Sequence, residues 1–363
     1  MLRYSFVFVL LICAGIPGIG QSASIEALDP GYAGKSIHTS IAWNPFITVN
    51  EYSHSAVCDD SGAFRLDIPL ATPRVVQFET GLYQLYLYMH PGFHYEVELP
   101  EYMEKKWDEQ ISPFYQALSM PLKVRSRASL STGEMIDGSG DVNHVINTFD
   151  SLFVLSNAEV ISHRKQAQAL NTDSIIRQME ANFSSDTSLF FTDYRRYRYG
   201  ILKLNEGRTS FVDLSKNYLG PEVQEWHPGF VELFRALFRD FIFYQLESRK
   251  DQNFRNLVNH YQDLDRARQL VREHPAVWSD TLAEMILMQD FSELFYRGEY
   301  HKEAILIMLD SMGTDPISPR FGSYAEQMKQ KLSSLVIGNP PPPIALEDLQ
   351  GGTFSITNGG VFG

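Results

Sequence analysis

A few groups of residues in this chain have the types that chemistry needs. His90 and His94 stand four apart in His90-Pro91-Gly92-Phe93-His94. On a helix that spacing would place both imidazoles on one face, ready to share a metal ion. Pro91 and Gly92 oppose a helix, and no third ligand stands at a recognisable spacing, so the segment reads as a hairpin turn. Tyr194-Arg195-Arg196-Tyr197-Arg198-Tyr199 is a dense basic and aromatic cluster. Arg195, Arg196 and Arg198 beside tyrosine rings suit contact with an anion or a glycan. The same spacing suits an amphipathic helix, with Tyr194, Tyr197 and Ile201 toward a core and the arginines meeting acidic neighbours. Cys58 closes an apolar strand end beside Asp59 and Asp60, whose charge disfavours a thiolate, so it reads as a small packed residue. Trp226, Trp278, Phe238, Phe241, Phe243 and Tyr244 have spacings that suit a groove and, more simply, a helical core. Glu347 and Asp348, adjacent on a strand, would point to opposite faces and do not pair. No Gly-rich phosphate loop, Ser–His–Asp arrangement or zinc signature is present, and no metal or cofactor is implied.

The elements that would position these groups fall into three parts. Residues 1–22 read as an export signal: Arg3, then an apolar run from Tyr4 to Ile16, then Gly18, Gly20 and Ser22. That run is shorter than the roughly 20 residues of a bilayer span, so no transmembrane segment is expected in the mature chain. Without the signal, Cys58 is the only cysteine, so no internal disulfide forms. The 44 acidic against 31 basic residues give a formal charge of −13, which opposes nucleic acid as a partner.

Residues 24–100 alternate with period two: Phe64, Leu66 and Ile68 on one face, and Tyr95, Val97 and Leu99 likewise. Leu82–Met89 is apolar on both faces, and Asn44-Pro45, Asp59–Gly62 and His90–Gly92 mark turns. An antiparallel β-sandwich follows as the expected fold of this part. From 101 to 335 the period turns helical. Val142, Val145, Ile146, Phe149, Leu152 and Phe153 form one stripe, and Phe230, Leu233, Phe234, Leu237, Phe238 and Phe241 another. Thr172 or Asp173 would cap one helix and Ser318-Pro319 another. Gly200, Gly220, Gly298 and Gly313 read as breaks between helices. The loop from Ser129 to Asp141 would join two helical blocks. Residues 336–363 open with Pro340–Pro343, which stops any helix. A strand from Pro343 to Leu346, a turn at Gln350–Gly352 and a strand from Thr353 to Ile356 follow.

Gly338, Pro342, Ile344, Leu346, Asp348, Gly351, Ser355 and Ile356 fall on the pattern that opens TlpA-type thioredoxin-like domains, so this last part resembles that family. Gly31–Lys35, Asp60–Phe64 and Leu87–Gly92 resemble its N-terminal sandwich. Leu282–Tyr300 and Tyr324–Gly338 resemble the helical lead-in to its redox domain. The resemblance implies an α+β multidomain protein: a sandwich, a helical domain and the first strands of an incomplete, truncated thioredoxin-like domain. It implies an exported protein of the periplasm or cell envelope, and in the family a thiol–disulfide oxidoreductase. This chain lacks Cys-x-x-Cys, so no catalytic residue carries over and redox turnover is not expected from it alone. The expected role is a non-catalytic recognition or spacer module meeting envelope proteins or peptides. The alternative is a self-standing secreted binding protein for peptide or glycan.

Overall fold

The computed structural model describes residues 22–334, except 43–44, 48–49, 112–114, 167–169, 187 and 248–253, together with the strands 344–347 and 353–356. The expected signal, apart from Ser22, and the proline run lie outside the described residues. Seven strands come first: Ser22–Leu28 (β1), Ser36–Ala42 (β2), Asn50–Val57 (β3), Ala63–Pro69 (β4), Arg74–Thr80 (β5), Tyr83–Met89 (β6) and Phe93–Glu98 (β7). A short helix, Trp107–Ile111 (α1), precedes Leu118–Pro121 (β8), Lys123–Ser129 (β9) and Met135–Asp137 (β10). They form two five-stranded sheets, ordered β10-β9-β7-β1-β4 and β3-β2-β5-β6-β8.

Both sheets are mixed, which corrects the antiparallel expectation: β1 pairs with β7, and β6 with β8, in parallel. The strands also run on to Asp137, past the expected change at residue 100. The segment from Ser129 to Asp141 therefore closes a strand pair and does not join two helical blocks. The alternating residues do what period two demands. Ile25, Leu66 and Tyr95 of one sheet share a core with Ile37, Val76, Phe78, Leu85 and Leu87 of the other. Gly62 turns the chain between β3 and β4 at φ 79°, where a Cβ would stand 1.8 Å from the Asp29 carbonyl oxygen. Asp59 holds that turn, its Oδ1 accepting from the Ser61 and Ala63 amides.

Beyond Val142 the chain is helical: Val142–Lys165 (α2), Thr172–Phe183 (α3), Leu189–Glu206 (α4), Phe211–Leu214 (α5), Pro228–Leu237 (α6), Phe254–Asn256 (α7), Leu264–Arg272 (α8), Asp280–Leu294 (α9), Lys302–Thr314 (α10) and Pro319–Ser333 (α11). Ser318 caps α11 as expected, accepting from the Phe321 amide. The cap of α3 is Asn171, one residue before the expected Thr172 or Asp173. Gly200 and Gly313 lie inside α4 and α10 and are not breaks. Gly200 lets α4 approach its neighbours: a Cβ there would stand 2.6 Å from Leu233 Cδ2 on α6. Helix α9 is buried on every side, Leu282 through Phe291, so the other helices pack around it.

The two parts meet on the outer face of the second sheet. Tyr86 and Val75 pack against the helical core, and Tyr88 belongs to it. This explains why Leu82–Met89 is apolar on both faces. At one point the joint is a hydrogen-bonded splice. Strand β8 ends with the Leu122 amide donating to the Tyr86 carbonyl. The next rung is supplied by Asn143 at the start of α2, whose Oδ1 accepts from the Tyr88 amide at 2.7 Å and whose Nδ2 donates to the Tyr88 carbonyl at 3.0 Å. Asp141 caps the same helix and takes an ion pair from Arg127 of β9 at 3.4 Å. Farther on, Ile344–Glu347 (β11) and Thr353–Ile356 (β12) pair as an antiparallel hairpin, close to the expected strands.

Candidate functional site

A large hollow lies where the helices cover that outer sheet face incompletely. Its volume is about 1160 Å³. One wall is β5, with Arg74, Val75 and Gln77, and the loop Pro45–Ile47. The other is the exposed side of α6 and the turn after it: Pro228, Val231, Glu232, Arg235, Ala236 and Arg239. These recur three and four apart, so one helical stripe faces the hollow while Phe230, Leu233, Phe234 and Leu237 face the core. Gln289, Ser292 and Glu293 of α9 form the floor, and Lys331 and Leu332 of α11 stand at the rim. Trp226 and Tyr296 add aromatic surface. A volume above the usual 300–1000 Å³ of a small-molecule pocket suits an oligomeric ligand.

Charged side chains line this cleft on several sides. Each of its carboxylates already has a cationic partner. Glu225 takes Arg320 at 2.6 Å, Glu232 takes Arg198 at 2.5 Å, and Glu293 lies 4.0 Å from Arg297. Arg235 and Arg239 enter no ion pair among the described residues. Arg239 is close enough to Glu293 to oppose the rise in its carboxyl pKa, which burial causes. Arg235 donates to the Pro45 carbonyl across the cleft. The surrounding protein lowers its guanidinium pKa, and no carboxylate offsets that. A smaller hollow between α8 and α9 differs in this respect: Arg268 binds Glu284 through two 2.8 Å bonds, and Arg272 lies 3.2 Å from Asp280.

The arginines singled out by sequence lie elsewhere, on α4. Tyr194, Tyr197 and Ile201 are buried, and each guanidinium is occupied. Arg195 pairs with Glu180 and donates to the Phe183 carbonyl at 3.1 Å. Arg196 pairs with Asp193 at 2.9 Å. Arg198 bridges Glu232 and Asp150 and lies 4.0 Å over the Phe153 ring. A ligand at these positions would have to displace an internal carboxylate. Only one side of the cluster touches the cleft, through Glu232.

Cys58 is buried; loss of hydration, and then the charge of Asp59, push its thiol pKa up. His90 sits in the expected turn, its imidazole pKa lowered by burial, while His94 meets Ser24 and Glu26. Among the described residues no group of three His, Cys, Asp or Glu side chains could hold a metal ion. Of the six aromatics considered for a groove, Phe238 and Phe241 are core, Trp278 is half-buried against that core, Phe243 and Tyr244 are exposed, and Trp226 lines the cleft. Arg235 and Arg239 were not singled out by sequence. Their position beside the buried stripe was legible; the absence of a carboxylate partner was not.

No helix among the described residues is long and apolar enough to cross a membrane. Comparison of the chain with protein-family models, with curated proteins and with solved structures finds no match.

Proposed function

We propose that residues 22–334 form a recognition module that holds a peptide in the cleft between the second sheet and α6, and that the module binds without performing chemistry. The observation that carries this reading is the cleft itself, with apolar and aromatic walls. Its apolar lining, Ile47, Val75, Val231 and Leu332, suits side chains of a peptide better than a hydroxyl-rich sugar. The same part is the one that the resemblance to TlpA-type proteins assigns to recognition or spacing beside an exported thiol–disulfide redox domain, and that placement is part of the proposal. The test is selection of displayed decapeptides on the chain and on Ala236→Trp, which narrows the cleft along α6. Peptides enriched on the first and lost on the second, at an unchanged melting temperature, support the reading. Enrichment that ignores the tryptophan, or no enrichment at all, sinks it.

A further inference from the structure

Part of the cleft wall is the stretch 221–228, which leads from Gly220 into α6 and contributes Glu225, Trp226 and Pro228 to the lining. Within that stretch only His227 is buried; its neighbours are half-buried or exposed. We infer that residues 221–228 form a strap, pinned to the rest of the protein by the His227 side chain and released by acid, so that protonation of one imidazole opens that part of the cleft. The strap would regulate the peptide site proposed above, and its role rests on that reading.

The pin sits in a socket on α4. The rings of Phe190, Tyr197 and Tyr194 lie 4.4, 5.0 and 6.2 Å from the imidazole, and Trp226 of the strap lies at 5.6 Å. Nδ1 accepts from the Gly229 amide at 3.2 Å, and Nε2 lies 3.2 Å from the Phe190 carbonyl oxygen, so the seated ring is the neutral one. Asp193 and Arg196 of α4 are the charged groups that face it. They pair with each other at 2.9 Å, so Asp193 brings no unshared charge to an imidazolium. On the Phe190 ring, at 5.5 Å, stands His90 of the turn after β6, which faces Arg127 and Asp141 and whose pKa burial lowers as well. The other ties of the strap are few. Gln224 Nε2 donates to Asp193 at 2.9 Å, Glu225 pairs with Arg320 at 2.6 Å, and Val223 and Trp226 rest half-buried on the helical core. Withdrawing the strap therefore removes one buried side chain from its socket and leaves both cores intact, which is the pattern of a local opening.

Burial holds the seated imidazole at a pKa of about 4, opposed in part by the Phe190 carbonyl and Asp193, whereas a released imidazole takes its proton near 6.5. The open strap binds the proton first, so its opening constant should rise roughly 30-fold between pH 7.5 and pH 5. The experiment is hydrogen exchange of the whole chain across that range, with rates corrected for the pH dependence of free amides. It compares the amides of His227, Gly229 and Val231 with those of buried α9, which exchange on global unfolding. The strap amides should open about tenfold or more above the level of α9 at every pH, and show the acid rise. His227→Asn keeps a capping acceptor and should abolish the rise; His227→Gln serves where that variant does not fold. Strap amides that open only as readily as α9, an opening constant that ignores pH, or an acid rise that survives loss of the imidazole overturns the inference. No peptide enters this experiment, so a failed decapeptide selection overturns the peptide-binding reading and leaves the strap standing.

Discussion

His227 should make the folded state sensitive to acid, and the size of the effect can be worked out from its surroundings. The side chain is fully buried at the N-cap of α6. Its Nδ1 accepts from the Gly229 amide, and its Nε2 lies 3.2 Å from the Phe190 carbonyl, to which it must donate. Both nitrogens are therefore committed to the neutral ring protonated at Nε2. The rings of Phe190, at 4.4 Å, and Tyr197, at 5.0 Å, close around it. A proton on Nδ1 would face the Gly229 N–H and the positive end of a helix, with no water near. Burial dominates and holds the pKa down at about 4; the Phe190 carbonyl and Asp193 oppose it only in part. In the unfolded chain the same imidazole takes its proton near 6.5. The unfolded state then binds the proton first, so the stability contributed by the neutral ring is complete above pH 6.5 and is lost as pH falls toward 4. The full loss is ~3 kcal/mol, of which about 2 kcal/mol has gone by pH 5. His227→Asn keeps a capping acceptor without the titration. Urea unfolding of both proteins at several pH values from 7.5 to 5 isolates the effect, because other titrating groups cancel in the difference. The gap in stability between the two should be constant above pH 7 and shift by about 2 kcal/mol against the parent by pH 5. A gap independent of pH, or an imidazole seen by NMR to titrate above pH 6 in the folded protein, refutes the reasoning.

Two further outcomes test the joint and the central helix. Asn143→Ala should cost about 2–4 kcal/mol in urea unfolding, because it strands both the N–H and the C=O of buried Tyr88; a loss below about 0.5 kcal/mol would mean water replaces the amide. Asp290 is buried, accepts from the Ile242 amide at 2.6 Å, and has a second oxygen without a partner. Burial, more than the nearby Glu293 and Asp240, raises its pKa well above the usual carboxylate range. Folding then favours the protonated acid, so Asp290 subtracts stability as pH rises past the unfolded carboxylate value. Asp290→Asn should gain on the parent between pH 5 and pH 8 in unfolding midpoints; an unchanged difference would mean that the acid is already ionised or solvated.

Sequence alone determined what is local and periodic here. Phe64, Leu66 and Ile68 had to share a face because strand side chains alternate, and they are buried together. The stripe from Phe230 to Phe241 had to turn inward because its residues recur at helical spacing, and it does. Ser318-Pro319 started a helix by the chemistry of caps. The tyrosines of α4 went to the core and its arginines to carboxylates, as an amphipathic helix requires.

Tertiary structure decided whatever depends on partners distant in the chain. Lys123–Ser129 has little apolar alternation, yet it is a strand because β7 offers it an edge to pair with. The parallel pairings of β1 with β7 and of β6 with β8 leave no local trace, since direction is set by the path between strands. Gly200 looked like a break and is a contact, because only the neighbouring Leu233 shows how close the helices come. The cleft is the clearest case. Its walls come from residues 45–47, 74–77, 225–239, 289–296 and 331–332. Arg198 finds Glu232 and Asp150 at separations of 34 and 48 residues, and Arg235 finds no carboxylate. Which arginine meets a carboxylate and which does not depends on packing, and residue type does not reveal it.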